Sequence, residues 1–132
     1  TFLGCDMIYD ELQTHFYGIG SADPLRDDIT LRNLKAKSAR LEAIAEINNC
    51  TMFNLSEKTS SQLIFRRITV KGLKKNPGKR LSSRYDIEAA LDLEQGLNYY
   101  VEDGKYWKHL DRVNEEKLKQ LDDIWLLAID RA

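Results

Sequence analysis

The chain is poor in the side chains that build metal sites and disulfide frameworks. Its 132 residues include only two cysteines and two histidines. Two cysteines are too few for a disulfide framework, and Cys5, His15, Cys50 and His109 lack the matched spacing of a zinc site. A serine or cysteine nucleophile would need one of the two histidines as its base, and no pattern joins them. We therefore expect no metal and no cofactor, and no residue is predicted to be catalytic.

Long apolar runs are also missing. The longest run that resembles one, WLLAI at 125–129, is far shorter than the roughly 18 residues that suggest a membrane-spanning helix. No signal-peptide pattern opens the chain. We expect no membrane contact and a cytoplasmic location. Two glycosylation sequons, at Asn49 and Asn54, leave an extracellular location as a minor alternative.

The remaining composition is that of an ordinary globular protein. Hydrophobic residues make up 42% of the chain and charged residues 31%, which is too apolar for a disordered segment. A chain of this length buries roughly two thirds of its unfolded surface when it folds. The prediction is a single domain over residues 1–132, either complete or excised from a longer chain.

Apolar residues spaced three and four apart predict amphipathic helices in several stretches. These are residues 5–16, residues 24–49 with a break at Thr30 as an alternative, residues 83–95 ended by Gly96, and a last helix capped by Asn114. In the long second stretch, the predicted core stripe consists of Leu31, Leu34, Leu41, Ile44, Ala45 and Ile47. In the last helix, the residues predicted to face the core are Leu118, Leu121, Ile124, Trp125 and Ala128.

Two segments predict β structure. The segment QLIFRRITVK at 62–71 is rich in β-branched and aromatic residues, which favour a strand, although a helix beginning near Ser60 is the alternative. Asp103-Gly104 is the preferred dipeptide of a two-residue type I′ turn, which would pair Tyr100 with Trp107 in a hairpin over 97–110. The predicted fold class is α+β: a helix-rich domain whose small antiparallel sheet is packed by N-terminal and C-terminal helices.

Two short motifs resemble known phosphate-binding or catalytic patterns. The string GLKKNPGK at 72–79 resembles a phosphate-binding P-loop, but five residues separate its glycines instead of four, and Arg80 replaces the required Ser or Thr. Asp103-Gly104-Lys105 matches the acidic-x-Lys pattern of some metal-dependent nucleases. The predicted turn already explains that Asp-Gly pair, so a nuclease is a distant third hypothesis.

Charge is strongly polarised along the chain. Residues 58–85 hold nine basic side chains and no acidic one, whereas the other 104 residues hold 11 basic and 21 acidic side chains, a balance of −10. The total is therefore a net charge of −1. A basic segment of this kind is typical of a surface that contacts phosphates.

We therefore predict a nucleic-acid-binding module, regulatory or accessory, whose partner is DNA or RNA. The predicted contact residues are Arg67, Lys71, Lys74, Lys75, Lys79, Arg80, Arg84, Tyr100 and Trp107, with the two aromatic rings available for base stacking. Helix 83–95 would not enter a groove, because Asp86, Glu88, Asp92 and Glu94 would repel DNA. The alternative is a protein-interaction or structural domain whose basic loop docks on an acidic partner or on its own acidic helices.

Overall fold

The computed structural model describes residues 1–6, 32–75 and 84–130, with the backbone alone at 84–86, 107 and 130. Within these ranges the chain forms α-helices at Leu34–Ile47 (α1), Val70–Leu73 (α2), Arg84–Leu97 (α3) and Glu115–Asp130 (α4). Two 3₁₀ turns, Tyr106–Lys108 and Leu110–Arg112, precede α4. The described ranges contain no β-strand and no sheet, so the α+β prediction is wrong.

The predicted strand at 62–71 is an irregular extended segment that ends in a helical turn. Its backbone makes one isolated parallel bridge, between Asn54 and Arg67, and Asn54 makes a second with Phe2. The supporting hydrogen bonds run from Asn54 N to Arg66 O (3.0 Å) and from Ile68 N to Asn54 O (3.2 Å). Extended propensity becomes a strand only where a neighbouring segment continues the ladder, and here the ladder stops after one bridge.

The predicted hairpin at 97–110 is also wrong, and the turn in this segment lies one residue earlier than predicted. Gly104 N donates to Val101 O (3.0 Å), so Glu102 and Asp103 occupy the turn centre, one residue earlier than the predicted register. Gly104 adopts a left-handed φ of 67°, and Asp103 Oδ1 accepts from Lys105 N (2.9 Å). The chain then winds into a 3₁₀ turn, which prevents the predicted pairing of Tyr100 with Trp107.

Helix α1 is shorter than predicted and buries a different face. Asn33 caps it by accepting a hydrogen bond from Ala36 N (3.1 Å), and the residue before this cap, Arg32, is not helical. The buried residues are Ala36, Ser38, Ala39, Glu42 and Ala43. Two members of the predicted stripe, Leu41 and Ile47, are instead 45% and 52% exposed. The predicted positions 7–31, including the first helix beyond Asp6, lie outside the described residues.

The two remaining long helices form where they are predicted, but Gly96 does not end the first of them. Helix α3 begins at Arg84 and continues past Gly96 to Leu97, where Asn98 supplies the left-handed residue with φ 50°. Helix α4 begins after Asn114, whose Oδ1 accepts from Lys117 N (2.9 Å). Side-chain capping of this kind satisfies an otherwise unpaired amide of the first turn.

Helix α4 is the centre of the core and contacts both α1 and α3. The core consists of Ala39, Ala43, Ile87, Ala90, Leu121, Trp125, Ala128 and Ile129. Ion pairs Arg32–Glu115 (2.6 Å) and Lys37–Asp122 (2.8 Å) show that α1 and α4 run in the same direction. At the other side, Tyr99 after α3 accepts a hydrogen bond from Asn114 N before α4 (3.0 Å), so α3 runs antiparallel to α4. No helix within the described ranges is long and apolar enough to cross a membrane.

Candidate nucleic-acid interface

Asn54 organises the loop that leads to the basic segment. Its side chain is 1% exposed. The amide Nδ2 donates to Ser61 Oγ (3.1 Å) and Leu63 O (3.0 Å), and Oδ1 accepts from Ser56 N (2.9 Å). A buried amide whose donors and acceptor are all bonded fixes the backbone around it. The side chain of Asn54 therefore holds the backbone of residues 54–63 in one conformation.

Arg67 is exposed, but its side chain is bound to the same loop. Its guanidinium donates to Ser56 O (3.0 Å) and to Lys58 O. These two carbonyls use much of the planar donor fork that arginine would offer to a phosphate or a base. The structure therefore gives Arg67, predicted as a contact residue, a structural role in the loop.

Helix α2 brings three of the predicted lysines together. Thr69 caps the helix by accepting from Gly72 N (3.0 Å), and Lys75 N donates to Gly72 O (3.0 Å), so the winding continues to Lys75. Residues three and four apart on a helix are neighbours, with Cβ atoms roughly 5–6 Å apart. Lys71, Lys74 and Lys75, here called the lysine triad, share one turn, and all three side chains are exposed.

The lysine triad has no acidic partner in the part of the chain that the structure describes. The ion pairs found there join other residues: Arg32 with Glu115, Lys37 with Asp122, Arg40 with Glu94, and Lys119 with Asp123. Carboxylates of α3 and α4 are thus paired with cations of α1, of α4 and of the residue before the α1 cap. The described acidic helices do not neutralise the triad.

The predicted aromatic platform does not form. Phe65, an aromatic residue of the basic segment, is 1% exposed, and its ring lies 5.0 Å from the ring of Phe2. Tyr100 is 75% exposed, on the connection between α3 and the first 3₁₀ turn. Trp107 lies within that 3₁₀ turn. Without a sheet, no described contact joins the two aromatic positions to the triad.

The other predicted contact residues are only partly described. Lys79 and Arg80 lie outside the described residues. Arg84 is the first residue of α3, and its backbone alone is described. The structure therefore brings together three of the nine predicted residues, all in or next to α2.

A second feature of the surface is a cleft of about 450 Å³ between the N-terminal ends of α1 and α4. It is lined by Arg32, Asn33, Glu115, Glu116, Leu118, Lys119 and Asp122. Asp122 is 6% exposed. Burial raises the pKa of its carboxyl above the ordinary value, although the hydrogen bond from Lys37 acts in the opposite direction. Within the lining Arg32 pairs with Glu115, whereas Lys119 and Asp122 pair with Asp123 and Lys37 outside it. With two cations and three carboxylates, the lining does not favour an anionic ligand.

Metal chemistry finds no support among the described residues. No group of three or more His, Cys, Asp or Glu side chains there is arranged to hold a metal ion. Asp103, the acidic residue of the nuclease-like pattern, accepts a hydrogen bond from Lys105 N within its own turn. That contact explains the Asp-x-Lys spacing as local turn geometry.

Sequence reasoning missed the residues that position the triad. Thr69 precedes a helical turn as an N-cap should, but the β-branched residues around it favoured a strand. The sequence pattern around Asn54 indicates only a glycosylation sequon. The role of Asn54 depends on hydrogen bonds to Ser61 and Leu63, and no short sequence pattern predicts them.

Comparisons with known proteins add no relative. The chain matches no protein-family model, and neither a curated protein nor a solved structure is significantly similar to it. The candidate interface is therefore argued from its own residues.

Proposed function

We propose that this chain is a nucleic-acid-binding module, regulatory or accessory, that contacts phosphates of DNA or RNA through the basic segment 58–85. The observation that carries the proposal is the exposure of the lysine triad without an acidic partner in the described part of the chain. Lysines held close together repel one another, and a polyanion relieves that repulsion while releasing its own counterions.

The distribution of the other charges supports the same function. Acidic side chains dominate outside the segment, where 11 basic residues face 21 acidic ones. A phosphate backbone is attracted to one region of the chain and repelled by the rest. Such polarity orients the nucleic acid on the protein during association.

The competing function is a protein-interaction domain whose basic loop docks on an acidic protein or on its own helices. Self-docking predicts ion pairs between the lysines and the acidic helices, and the described ion pairs of those helices go to other cations. An acidic protein partner would use the same lysines. The binding experiment below separates it from nucleic acid.

The test is a titration of labelled single-stranded and duplex oligonucleotides, followed by fluorescence anisotropy at 50 and 200 mM salt. One variant replaces Lys74, Lys75, Lys79 and Arg80 by alanine. Loss of four phosphate contacts should flatten the log–log salt slope by about 3.6 on duplex DNA.

A control variant replaces four exposed cations outside the segment, Lys105, Lys108, Arg112 and Lys117, by alanine. It changes the net charge by the same amount and should keep the wild-type slope. Failure of the wild-type protein to bind at 50 mM salt would reject the proposal. Binding to an acidic polypeptide but not to either oligonucleotide would favour the protein-interaction domain.

A further inference from the structure

We infer that the lysine triad contacts the sugar-phosphate backbone alone, without reading base sequence, and that its placement by α2, as well as its charge, decides the affinity. This inference rests on the proposed function and specifies its substrate class. It has two supports: the chemistry of the side chains that the described surface presents, and the packing that holds α2 in place.

The described part of the segment exposes the three lysines of the triad, whereas the guanidinium of Arg67, although also at the surface, is hydrogen bonded to backbone carbonyls. Lysine is a compact point charge on a flexible stem that suits a phosphate, whereas arginine supplies a rigid planar fork for bidentate recognition. Arg67 donates its fork to the carbonyls of Ser56 and Lys58. The outward contacts of the triad therefore position a backbone and carry little base information.

No described helix is suited to recognise base edges in place of Arg67. A recognition helix lies along the major groove and presents several side chains to base edges. Helix α2 has four residues, which is too short for that task. Helix α3 exposes Glu88 and Asp92, which would repel the phosphates that line a groove.

The packing under α2 fixes where the triad points. A Cβ atom built on Gly72 would lie 2.8 Å from Ile68 Cγ1 and 3.3 Å from Thr69 Oγ1. The helical turn thus sits directly on the Ile68 side chain, and the Thr69 cap holds its first turn. Any larger residue at position 72 must displace the turn or Ile68, although it leaves every charge unchanged.

Two pairs of variants test the inference. The triple variant K71A/K74A/K75A removes the triad, and K105A/K108A/K117A removes three exposed lysines elsewhere. On the phosphate-only model, the first should lower the salt slope by about 2.7 on duplex and about 2.1 on single strands. The wild-type affinity then falls about 40-fold more than that of the triad variant when salt rises from 50 to 200 mM on duplex, and about 18-fold more on single strands. The control should keep the wild-type slope.

The second pair isolates placement from charge. Gly72→Ala should weaken binding and lower the salt slope by about 0.9 for each duplex phosphate contact it displaces. Gly96→Ala, where an added Cβ would meet nothing within 4 Å, should bind like the wild type. Far-UV circular dichroism of both variants checks that the fold is retained.

Base reading is tested with unrelated oligonucleotide sequences of equal length. Their affinities should agree within about tenfold, well below the roughly 10³-fold or larger preference of sequence-specific readers. A larger preference would overturn the phosphate-only contact. Wild-type binding that survives loss of the triad would overturn the inference and leave the proposed function standing, whereas absence of wild-type binding would overturn both.

Discussion

Asn54 and Asp122 are both buried polar side chains, but their surroundings differ. Every polar group of the Asn54 amide is hydrogen bonded within the loop it closes. This also bears on its sequon, because an amide that is 1% exposed and fully bonded is not accessible to glycosylation in the folded protein. Asp122 has one cationic partner, Lys37 (2.8 Å), and its burial still disfavours the charged form.

Asp122 should make stability fall as pH rises above the ordinary carboxyl value. The unfolded carboxyl titrates near 3.8, and burial raises the pKa of Asp122 in the folded protein. Between the two values the folded state binds more protons, so the free energy of unfolding decreases with increasing pH. Above the folded pKa the cost is constant.

The measurement is urea unfolding of the wild type and Asp122→Asn from about pH 3 to pH 7. The wild-type stability minus that of the variant should be largest near pH 3 and should decline as pH rises through the folded pKa. Asp123→Asn is the control, because Asp123 is exposed and paired with Lys119 at the surface. A difference that grows with pH for Asp122 would mean that the pairing with Lys37 outweighs burial.

At the scale of elements, α1 packs on α4 through its small residues. Ala36, Ala39 and Ala43 are fully buried. Ala39 and Ala43 belong to the same core cluster as Leu121 and Trp125 of α4. Alanine at the contact lets two helices approach closely. The larger residues of α1, Leu41 and Ile47, are about half exposed.

Ala43→Leu should therefore destabilise the protein by about 1–3 kcal/mol, because a larger side chain overpacks the contact between α1 and α4. Leu41→Ala on the same helix should cost less than about 1 kcal/mol, since that side chain is already 45% exposed and surface changes are small. Chemical denaturation of both variants gives the comparison. If Leu41→Ala cost the roughly 2–5 kcal/mol of a buried leucine, the predicted apolar stripe would be the true core face.

The elements that sequence predicted well are those stabilised locally. Asn114 caps α4 within its own first turn, and Leu118, Leu121 and Trp125 recur at helical spacing on a face that is buried. The errors share the opposite property. The segment 62–71 required a partner strand that the described chain does not provide, and α1 required knowledge of which face α4 would cover.

The candidate site divides in the same way. Lysine side chains are rarely buried, so the sequence predicts that the triad is exposed. These three predicted residues do lie together, in or next to α2. Arg67 is a predicted contact residue as well, but it binds carbonyls nine and eleven positions earlier in the chain. The ring of Phe65 packs on Phe2. Contacts between distant positions decide which basic and aromatic groups remain available, and spacing along the chain does not encode them.

At the scale of the whole molecule, positive charge is concentrated in one segment of an otherwise acidic chain. The two functional hypotheses differ in what neutralises that charge in the free protein. If the triad docks on the acidic helices, it stabilises the fold. If it awaits a polyanion, its three ammonium groups repel one another and contribute nothing to folding.

Removing the triad should therefore leave the stability of the free protein unchanged within about 0.5 kcal/mol, as for exposed residues away from structural features. At low salt, K71A/K74A/K75A should be slightly more stable than the wild type, because repulsion among exposed like charges is screened only as salt is added. Urea unfolding at about 20 and 300 mM salt, without nucleic acid, measures both effects. Lys37→Ala provides the contrast, since it breaks an ion pair with the buried Asp122 and should destabilise at both salt concentrations. Destabilisation of the triad variant by more than about 1 kcal/mol would show that the lysines serve the fold, and it would favour self-docking over phosphate binding.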